Sequence, residues 1–343
     1  PTPEHIVSSL REAATDSKHH RYPSYRGMLE YRQAAADYYK QRWDVELDAE
    51  SEVVALIGSK EGIAHFPIAF VDPGDLVLVP NPGYPVYATA TRFCGGEVHY
   101  LPLERGNGFL PDLSSISDEV AERAKIIWVN YPNNPTAALS PRSFLEELVD
   151  WARQRNIIIA SDNAYADVYY DTDNRPLSIL SVPGAKDVAV EFYSLSKTYN
   201  MTGWRVAFAA GNPDLVAGLG KVKTNVDSGV FEAVQRAAIT ALSGDQSCVA
   251  ELREVYRERR DVLCGGLAKA GYDVLTPDAT FYTLIACPEG VSSMDFSAKL
   301  LSEAHVVATP ATGFGSSGEG FVRLTLCAPK ERLAEAVERI TRL

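Results

Sequence analysis

Lys197 is the residue of this chain best placed for covalent chemistry. It stands in the polar turn Ser194-Leu195-Ser196-Lys197-Thr198-Tyr199-Asn200-Met201-Thr202-Gly203-Trp204-Arg205. The run before it, Val188-Ala189-Val190-Glu191-Phe192-Tyr193, is β-branched and aromatic and reads as a buried strand. Ser194 and Ser196 supply hydroxyls, and Arg205, eight residues after the lysine, supplies a fixed positive charge. That set suits a phosphate dianion. A lone lysine is usually a solvated surface group. A lysine beside a phosphate cup is what pyridoxal 5'-phosphate (PLP) needs, because that cofactor is held by its phosphate and by a Schiff base to a lysine amine.

Other residues match further demands of the same chemistry. Asp162 follows the apolar run Ile157-Ile158-Ile159-Ala160. A carboxylate there can keep a pyridine nitrogen protonated and make the ring an electron sink; its plainer reading is a helix N-cap. Tyr165, three residues on, reaches the same side over one helical turn. Its phenol could donate to the cofactor's 3'-oxygen, or it is an ordinary half-buried tyrosine. Asn134, in Asn133-Asn134-Pro135-Thr136, can donate an amide hydrogen to that oxygen, although the words equally describe a proline turn. Tyr84, in the turn Asn81-Pro82-Gly83-Tyr84-Pro85, can stack on the ring. Gly58-Ser59-Lys60, ahead of a predicted helix, offers backbone N–H groups and a hydroxyl to a phosphate. Arg323 lies inside the apolar run Phe321 to Leu326, where a guanidinium is costly unless paired. A substrate carboxylate bound bidentately would pair it, as would a structural salt bridge.

The elements that must position these groups alternate. Helices are predicted over Glu30 to Arg42 and Pro141 to Arg155, and strands over Glu52 to Ile57, Leu76 to Pro80, Lys125 to Asn130, Ile157 to Ala160 and Val188 to Tyr193. Strands separated by helices predict an α/β fold with a mostly parallel sheet flanked by helices. Three of the strand-like runs end in polar clusters, around Asn134, Asp162 and Lys197, and open α/β sheets bind ligands at the carboxyl ends of their strands. After about Val230 the pattern becomes that of a small α+β domain. It has helices over Phe231 to Leu242, Val249 to Lys269, Asp295 to Glu303 and Lys330 to Leu343, and strands over Tyr272 to Leu275, Thr280 to Ala286, Val306 to Thr309 and Phe321 to Leu326. The expected division is a large domain over 22–245 and a small domain made of 1–21 and 246–343, with 249–269 as a bridging helix.

Composition narrows the function classes. A chain of 343 residues, 46% hydrophobic, can bury one large core and a smaller one. A net charge of -12 argues against nucleic acid as a partner. Five scattered cysteines form no CxxC pair, and the six histidines show no HxxxH spacing, so neither a metal site nor a disulfide framework is expected. No apolar run reaches the roughly 20 residues that span a bilayer. The expected location is the cytoplasm. The chain opens at Pro1 rather than at a methionine, so a preceding segment is expected to be absent from it.

Taken together, Asn134-Pro135-Thr136, Asp162-x-x-Tyr165, Ser194-x-Ser196-Lys197, Arg205 and the late Arg323 resemble, in order and spacing, the class I/II aminotransferases of PLP fold type I. The resemblance spans essentially the whole chain. It implies Lys197 as the Schiff-base lysine, Asp162 on the pyridinium, and Asn134 and Tyr165 on the 3'-oxygen. Ser59, Lys60, Ser194, Ser196 and Arg205 would hold the phosphate end, and Tyr84 the ring. Arg323 would grip the substrate carboxylate, with Lys60, Tyr84 and Asn134 also facing substrate. Such enzymes are usually homodimers, and Tyr22, in Tyr22-Pro23-Ser24-Tyr25-Arg26-Gly27, resembles the tyrosine that reaches the partner's phosphate.

Within the superfamily, Leu56 to His65, Tyr131 to Ala138 and Lys223 to Phe231 are most similar to LL-diaminopimelate aminotransferases. The activity implied is amino transfer from LL-diaminopimelate to 2-oxoglutarate. Alternatives on the same core are aspartate, alanine or aromatic aminotransferases, a C–S lyase, or a non-catalytic PLP-binding regulator. The chain departs from the family pattern in lacking the glycine-bearing N-terminal segment and in carrying Ala311 where relatives commonly have glycine.

Overall fold

Strand runs that are apolar along their whole length must be covered on both faces. The computed structural model describes all 343 residues and shows how this is done. Seven strands form one sheet: Val53–Leu56 (β1), Leu76–Asn81 (β2), Glu97–Pro102 (β3), Ala124–Asn130 (β4), Ile158–Asp162 (β5), Ala189–Ser194 (β6) and Ala207–Gly211 (β7). Their order is β1-β7-β6-β5-β4-β2-β3, and only β7 runs against the rest. Alternate residues feed two cores. Ile127, Ile159, Tyr193 and Phe208 pack with helices Leu29–Trp43, Arg142–Arg155 and Glu232–Ser243. Trp128, Ala160, Phe192 and Ala209 pack with helices Ser59–Phe70, Val86–Phe93 and Pro213–Val226.

The alternation therefore predicts this architecture correctly, apart from two strands it does not contain. β7 is Ala207-Phe208-Ala209-Ala210-Gly211, with no β-branched residue, and strand propensity gives no sign of it. It is buried throughout between β1 and β6, where burial and pairing outweigh propensity. β3 is the half-exposed edge, polar enough to read as loop.

The second sheet is antiparallel and has four strands: Val274–Leu275 (β8), Tyr282–Ala286 (β9), Thr309–Pro310 (β10) and Phe321–Thr325 (β11), in the order β10-β11-β9-β8. Helices Ser247–Lys269, Ser293–Ala304 and Lys330–Ile340 cover it through Leu263, Phe296, Leu300, Leu333 and Ile340. The strand expected over Val306 to Thr309 is reduced to Thr309–Pro310. His305, at φ 55°, ends the preceding helix in a left-handed turn, and only the last of the expected residues pairs with β11.

Residues 1–21 sit differently from the expectation that joined them to the small domain. Helix Glu4–Thr15 lies on helix Glu232–Ser243, and Ile6 is wholly buried in the core of the seven-stranded sheet. Ser9 accepts from Thr240, and His19 meets Glu232 at 2.9 Å. A hydrophobic face follows the nearest large core, and for this helix that core is the main sheet's.

Candidate active site

β4, β5 and β6 are parallel neighbours that end level, with Asn130 opposite Asp162 and Asp162 opposite Phe192. The turns that follow these ends enclose a cavity of about 280 Å³. Ser59, Lys60, Tyr84, Asn134, Asp162, Tyr165, Ser194, Ser196, Lys197 and Arg205 all line it, joined by Asn130, Ala164, Thr202 and Tyr282. Residues spread over more than half the chain thus meet at one place, at the strand ends where an open α/β sheet presents a ligand. A larger hollow of about 740 Å³ beside β3 is lined by Glu104, Asp112 and Glu147 and by no cation, so it has nothing to hold a phosphate or a carboxylate.

Asp162 is buried, and its Oδ2 accepts from the Tyr87 hydroxyl at 2.7 Å. Its Oδ1 is buried with no hydrogen-bond partner. Burial pushes its carboxyl up to about 6; the Tyr87 hydroxyl, the Ala164 N–H and the Lys197 charge pull the other way. Tyr87 is itself held by stacking on Trp128, with ring centroids 4.7 Å apart. No helix follows Asp162, so it caps none; residues 164–167 form a turn that still brings Tyr165 into the cavity.

A chain of amide hydrogen bonds links the cofactor side to the small sheet. Asn130 Nδ2 donates to the Asp162 carbonyl at 2.7 Å, and its Oδ1 accepts from the Asn134 N–H at 2.8 Å. Arg323 Nη1 donates to Asn134 Oδ1 at 2.6 Å, which leaves the Asn134 Nδ2 hydrogens free to donate. Arg323 lies against the rings of Tyr282 (4.2 Å) and Phe314 (4.4 Å), and its buried Nε has no partner. No carboxylate pairs with it, so the structural salt bridge is ruled out as its reason for being buried. Tyr165 and Tyr282 share a hydrogen bond of 3.1 Å between their hydroxyls. For Lys197, burial is the first cause that lowers its pKa, with Asp162 opposing. A larger share of its amine is therefore neutral at a given pH, as a nucleophile or base requires.

Ser59, Ser194, Ser196 and Arg205, all in the cavity lining, offer donors that an anion could use. Ser194 Oγ accepts from the Ser196 N–H at 3.2 Å and so opens the short helix Leu195–Thr198. Gly58 precedes helix Ser59–Phe70 at φ +76°. Glu61, in the first turn of that helix, accepts from the Ile57 N–H at 3.0 Å and is held by His65 (2.7 Å) and the fully buried Lys223 (2.9 Å). This arrangement resembles a capping box and fixes the helix start. A Cβ on Gly58 would lie 2.1 Å from Arg205 Nη2. The guanidinium is flexible and can retreat, so the cost falls more on the anion than on the fold. Gly58→Ala is expected to weaken PLP binding at least about tenfold, with a stability loss of about 1–2 kcal/mol from the positive φ. Cofactor titration by fluorescence and thermal unfolding would separate the two effects.

Two expected residues stand apart. Arg323 is beside the cavity rather than in its lining, and Tyr22 is 89% exposed on the surface. Tyr87, Asn130 and Tyr282 are the site residues that sequence reasoning overlooked. Asn130 was in view, as the first polar residue after an apolar strand. Tyr87 and Tyr282 gave no local signal, being ordinary aromatics in a helix and a strand.

The residues fit PLP. Asp162, with a buried carboxylate oxygen that has no partner, lines the same cavity as the Lys197 amine, the Ser59, Ser194 and Ser196 hydroxyls and Arg205. Such a lysine-centred site on a mostly parallel sheet defines a PLP-dependent enzyme. The family model described as "Aminotransferase class I and II" matches residues 1–340, and the chain belongs to that family. It is a PLP-dependent transaminase with the type I fold, acting on amino and 2-oxo acids. An LL-diaminopimelate aminotransferase from Maridesulfovibrio salexigens is 57% identical over the whole chain and 88% of its own length. One from Aquifex aeolicus is 56% identical with the same coverage. Among solved structures, substrate-bound BacF from Bacillus subtilis superposes at TM-score 0.96 and 39% identity, covering all of this chain and 87% of that one.

Proposed function

We propose that the enzyme transfers the amino group of LL-diaminopimelate to 2-oxoglutarate. Curated relatives above 55% identity that cover the whole chain and carry that name support this substrate. For the site, the observation that carries the reading is Lys197 sharing one cavity with the unpartnered Asp162 Oδ1.

The roles follow from the geometry. Lys197 Nζ would bond the cofactor's aldehyde carbon, and Asp162 would hold the pyridine nitrogen in its protonated form. Asn134 Nδ2 and the Tyr165 hydroxyl would donate to the 3'-oxygen, and Tyr84 would cover the ring. Ser59, Ser194, Ser196, Arg205 and the first N–H groups of helix Ser59–Phe70 would take the phosphate. The bound cofactor supplies an electron sink for the substrate Cα. As a free amine, Lys197 Nζ would take the substrate Cα proton as a general base. Arg323 would orient the substrate by its α-carboxylate, and Lys60, exposed at the cavity mouth, would reach the distal end with Tyr84 and Asn134.

The proposal extends to assembly and location. Tyr22, a large aromatic left 89% exposed on its own chain, supports a homodimer in which it reaches the partner's phosphate. No helix is long and apolar enough to cross a membrane, and the proposed location is the cytoplasm. The proposed small domain is 246–343, and residues 1–21 go with the large one.

The test is glutamate formation from LL-diaminopimelate and 2-oxoglutarate by purified PLP-loaded protein. Aspartate, alanine, phenylalanine and cystathionine serve as competing substrates. Turnover with LL-diaminopimelate is expected to exceed that with the others by at least about a hundredfold in kcat/KM. A preference for any competitor, or no turnover at all, overturns the assignment.

A further inference from the structure

A second cavity, of about 170 Å³, lies between the end of helix Leu29–Trp43 and the start of helix Ser247–Lys269. That is well above the roughly 10–15 Å³ that one water needs on this measure, so it has room for several waters or for one phosphate-sized group. Arg42, Arg175 and Arg253 line it, with Gln41 and Gln246 between them, and Asp167 is its one carboxylate.

That carboxylate is fully engaged. Its Oδ2 accepts from the Tyr38 and Tyr193 hydroxyls at 2.9 and 2.6 Å, and its Oδ1 accepts from Arg42 Nε at 3.1 Å. Arg175 donates only to the Thr172 carbonyl, at 2.9 Å, and Arg253 rests on the Tyr169 ring at 4.5 Å without a carboxylate. Arg42 lies 5.4 Å from the same ring. The two guanidinium carbons are thus no more than about 10 Å apart, about one Debye length at 0.1 M salt. Three cations against one carboxylate leave two positive charges uncompensated, in a chain whose net charge is -12. Arg42 and Arg253 are half-buried and Arg175 is exposed; the like charges of the first two, drawn partly out of water, repel, and an anion between them relieves that cost.

Guanidinium forks match carboxylates and phosphates alike. Arg42 already spends Nε on Asp167 and Nη2 on the Ala166 carbonyl (3.5 Å), but the terminal nitrogens of Arg175 and the whole guanidinium of Arg253 have no acceptor, more donors than the two oxygens of a carboxylate use and a number that suits a tetrahedral group. We propose that this cavity binds a phosphate group, as the free ion or as the phosphate end of a small metabolite, separately from the site that takes the cofactor. Arg42 belongs to the large sheet's layer and Arg253 to the helix leading into the small sheet, so the occupant braces the two together. Asp167 also reaches toward the reactive lysine, because its partner Tyr193 meets Thr198 Oγ1 at 3.0 Å.

The experiment is calorimetric titration of the PLP-loaded enzyme with inorganic phosphate and, in parallel, with glycerol 3-phosphate. Ionic strength is held constant, chloride is the control, and the enzyme is loaded with PLP and freed of unbound cofactor by gel filtration before titration, because free PLP is itself a phosphate ester. Saturable binding of one equivalent per chain is expected, weakened about tenfold by Arg253→Gln and again by Arg175→Gln. Basal transamination should be unchanged in both. Arg175 lies on an exposed loop, so its variant reads out binding even if Arg253→Gln impairs folding. Tighter binding of the ion points to free phosphate, and tighter binding of the ester to a metabolite. No saturable heat with either ligand, or unchanged affinity in Arg175→Gln, overturns the proposal.

Discussion

Lys197→Ala is expected to abolish transamination, lowering kcat by about four orders of magnitude or more. The change removes both the amine that would hold the cofactor and the base that would take the Cα proton, and general base catalysis alone is worth about 10²–10⁴. Borohydride reduction followed by mass spectrometry offers a readout independent of turnover. Wild-type protein should carry the cofactor's mass on the peptide containing Lys197, and the variant should carry none. The fold should persist, because Lys197 is only half-buried and makes no hydrogen bond that its neighbours need. A variant that still transaminates at the wild-type rate would falsify the role.

Asp162→Asn should act in opposite directions with and without the cofactor. In protein stripped of PLP, the Asp162 carboxyl is pushed up to about 6 by burial, against 3.8 for a free side chain. A raised folded-state value means that stability is greatest below the free value. It then falls as pH rises through about 4 to 6, because the buried group must ionise. At pH 7 the cost is about 3 kcal/mol. The amide is isosteric, keeps an oxygen for the Tyr87 hydroxyl and never ionises. Stripped Asp162→Asn should therefore be more stable than wild type at pH 7 by about that amount, and should lose the part of the fall in stability between pH 4 and 6 that Asp162 causes, while other groups such as the buried Glu191, whose carboxyl is also raised, keep theirs. With PLP bound, the pyridinium loses its counter-charge, and kcat should fall by about three orders of magnitude. Urea titrations at several pH values check the first half and single-turnover kinetics the second. A stripped variant less stable than wild type at pH 7 would contradict the account.

The cofactor half of the site was readable from sequence because its groups follow directly on strands. Asn134, Asp162 and Lys197 each come after a buried apolar run, and a parallel sheet brings such ends together. Arg323 was readable for another reason, as a charge inside a strand that required a partner. What escaped was carried by residues whose only signal is spatial. Tyr87 is one aromatic among many in the chain, and only the packed helix places its hydroxyl on Asp162. β7 escaped because Ala207, Ala209 and Ala210 look like helix formers, and only β1 and β6 on either side make them a strand. The attachment of residues 1–21 was also hidden. Helix Glu4–Thr15 shows an apolar face but not which core will take it.

The site draws its two halves from different sheets. The groups that would hold the cofactor come from the ends of β4, β5 and β6 and from helix starts beside them, and the spacing of the strand ends is held by one hydrogen-bonded ladder. Arg323 and Tyr282 come from β11 and β9 of the other sheet, and they meet the first set chiefly at two contacts, Arg323 to Asn134 and Tyr282 to Tyr165. Descent with modification can therefore work on each half separately. Arg323 would meet the α-carboxylate that every amino donor shares, whereas Lys60 and Tyr84 beside the ladder would meet the part that differs, so a change of donor is expected to arise on the large sheet's side while the small sheet's grip is inherited with the reaction.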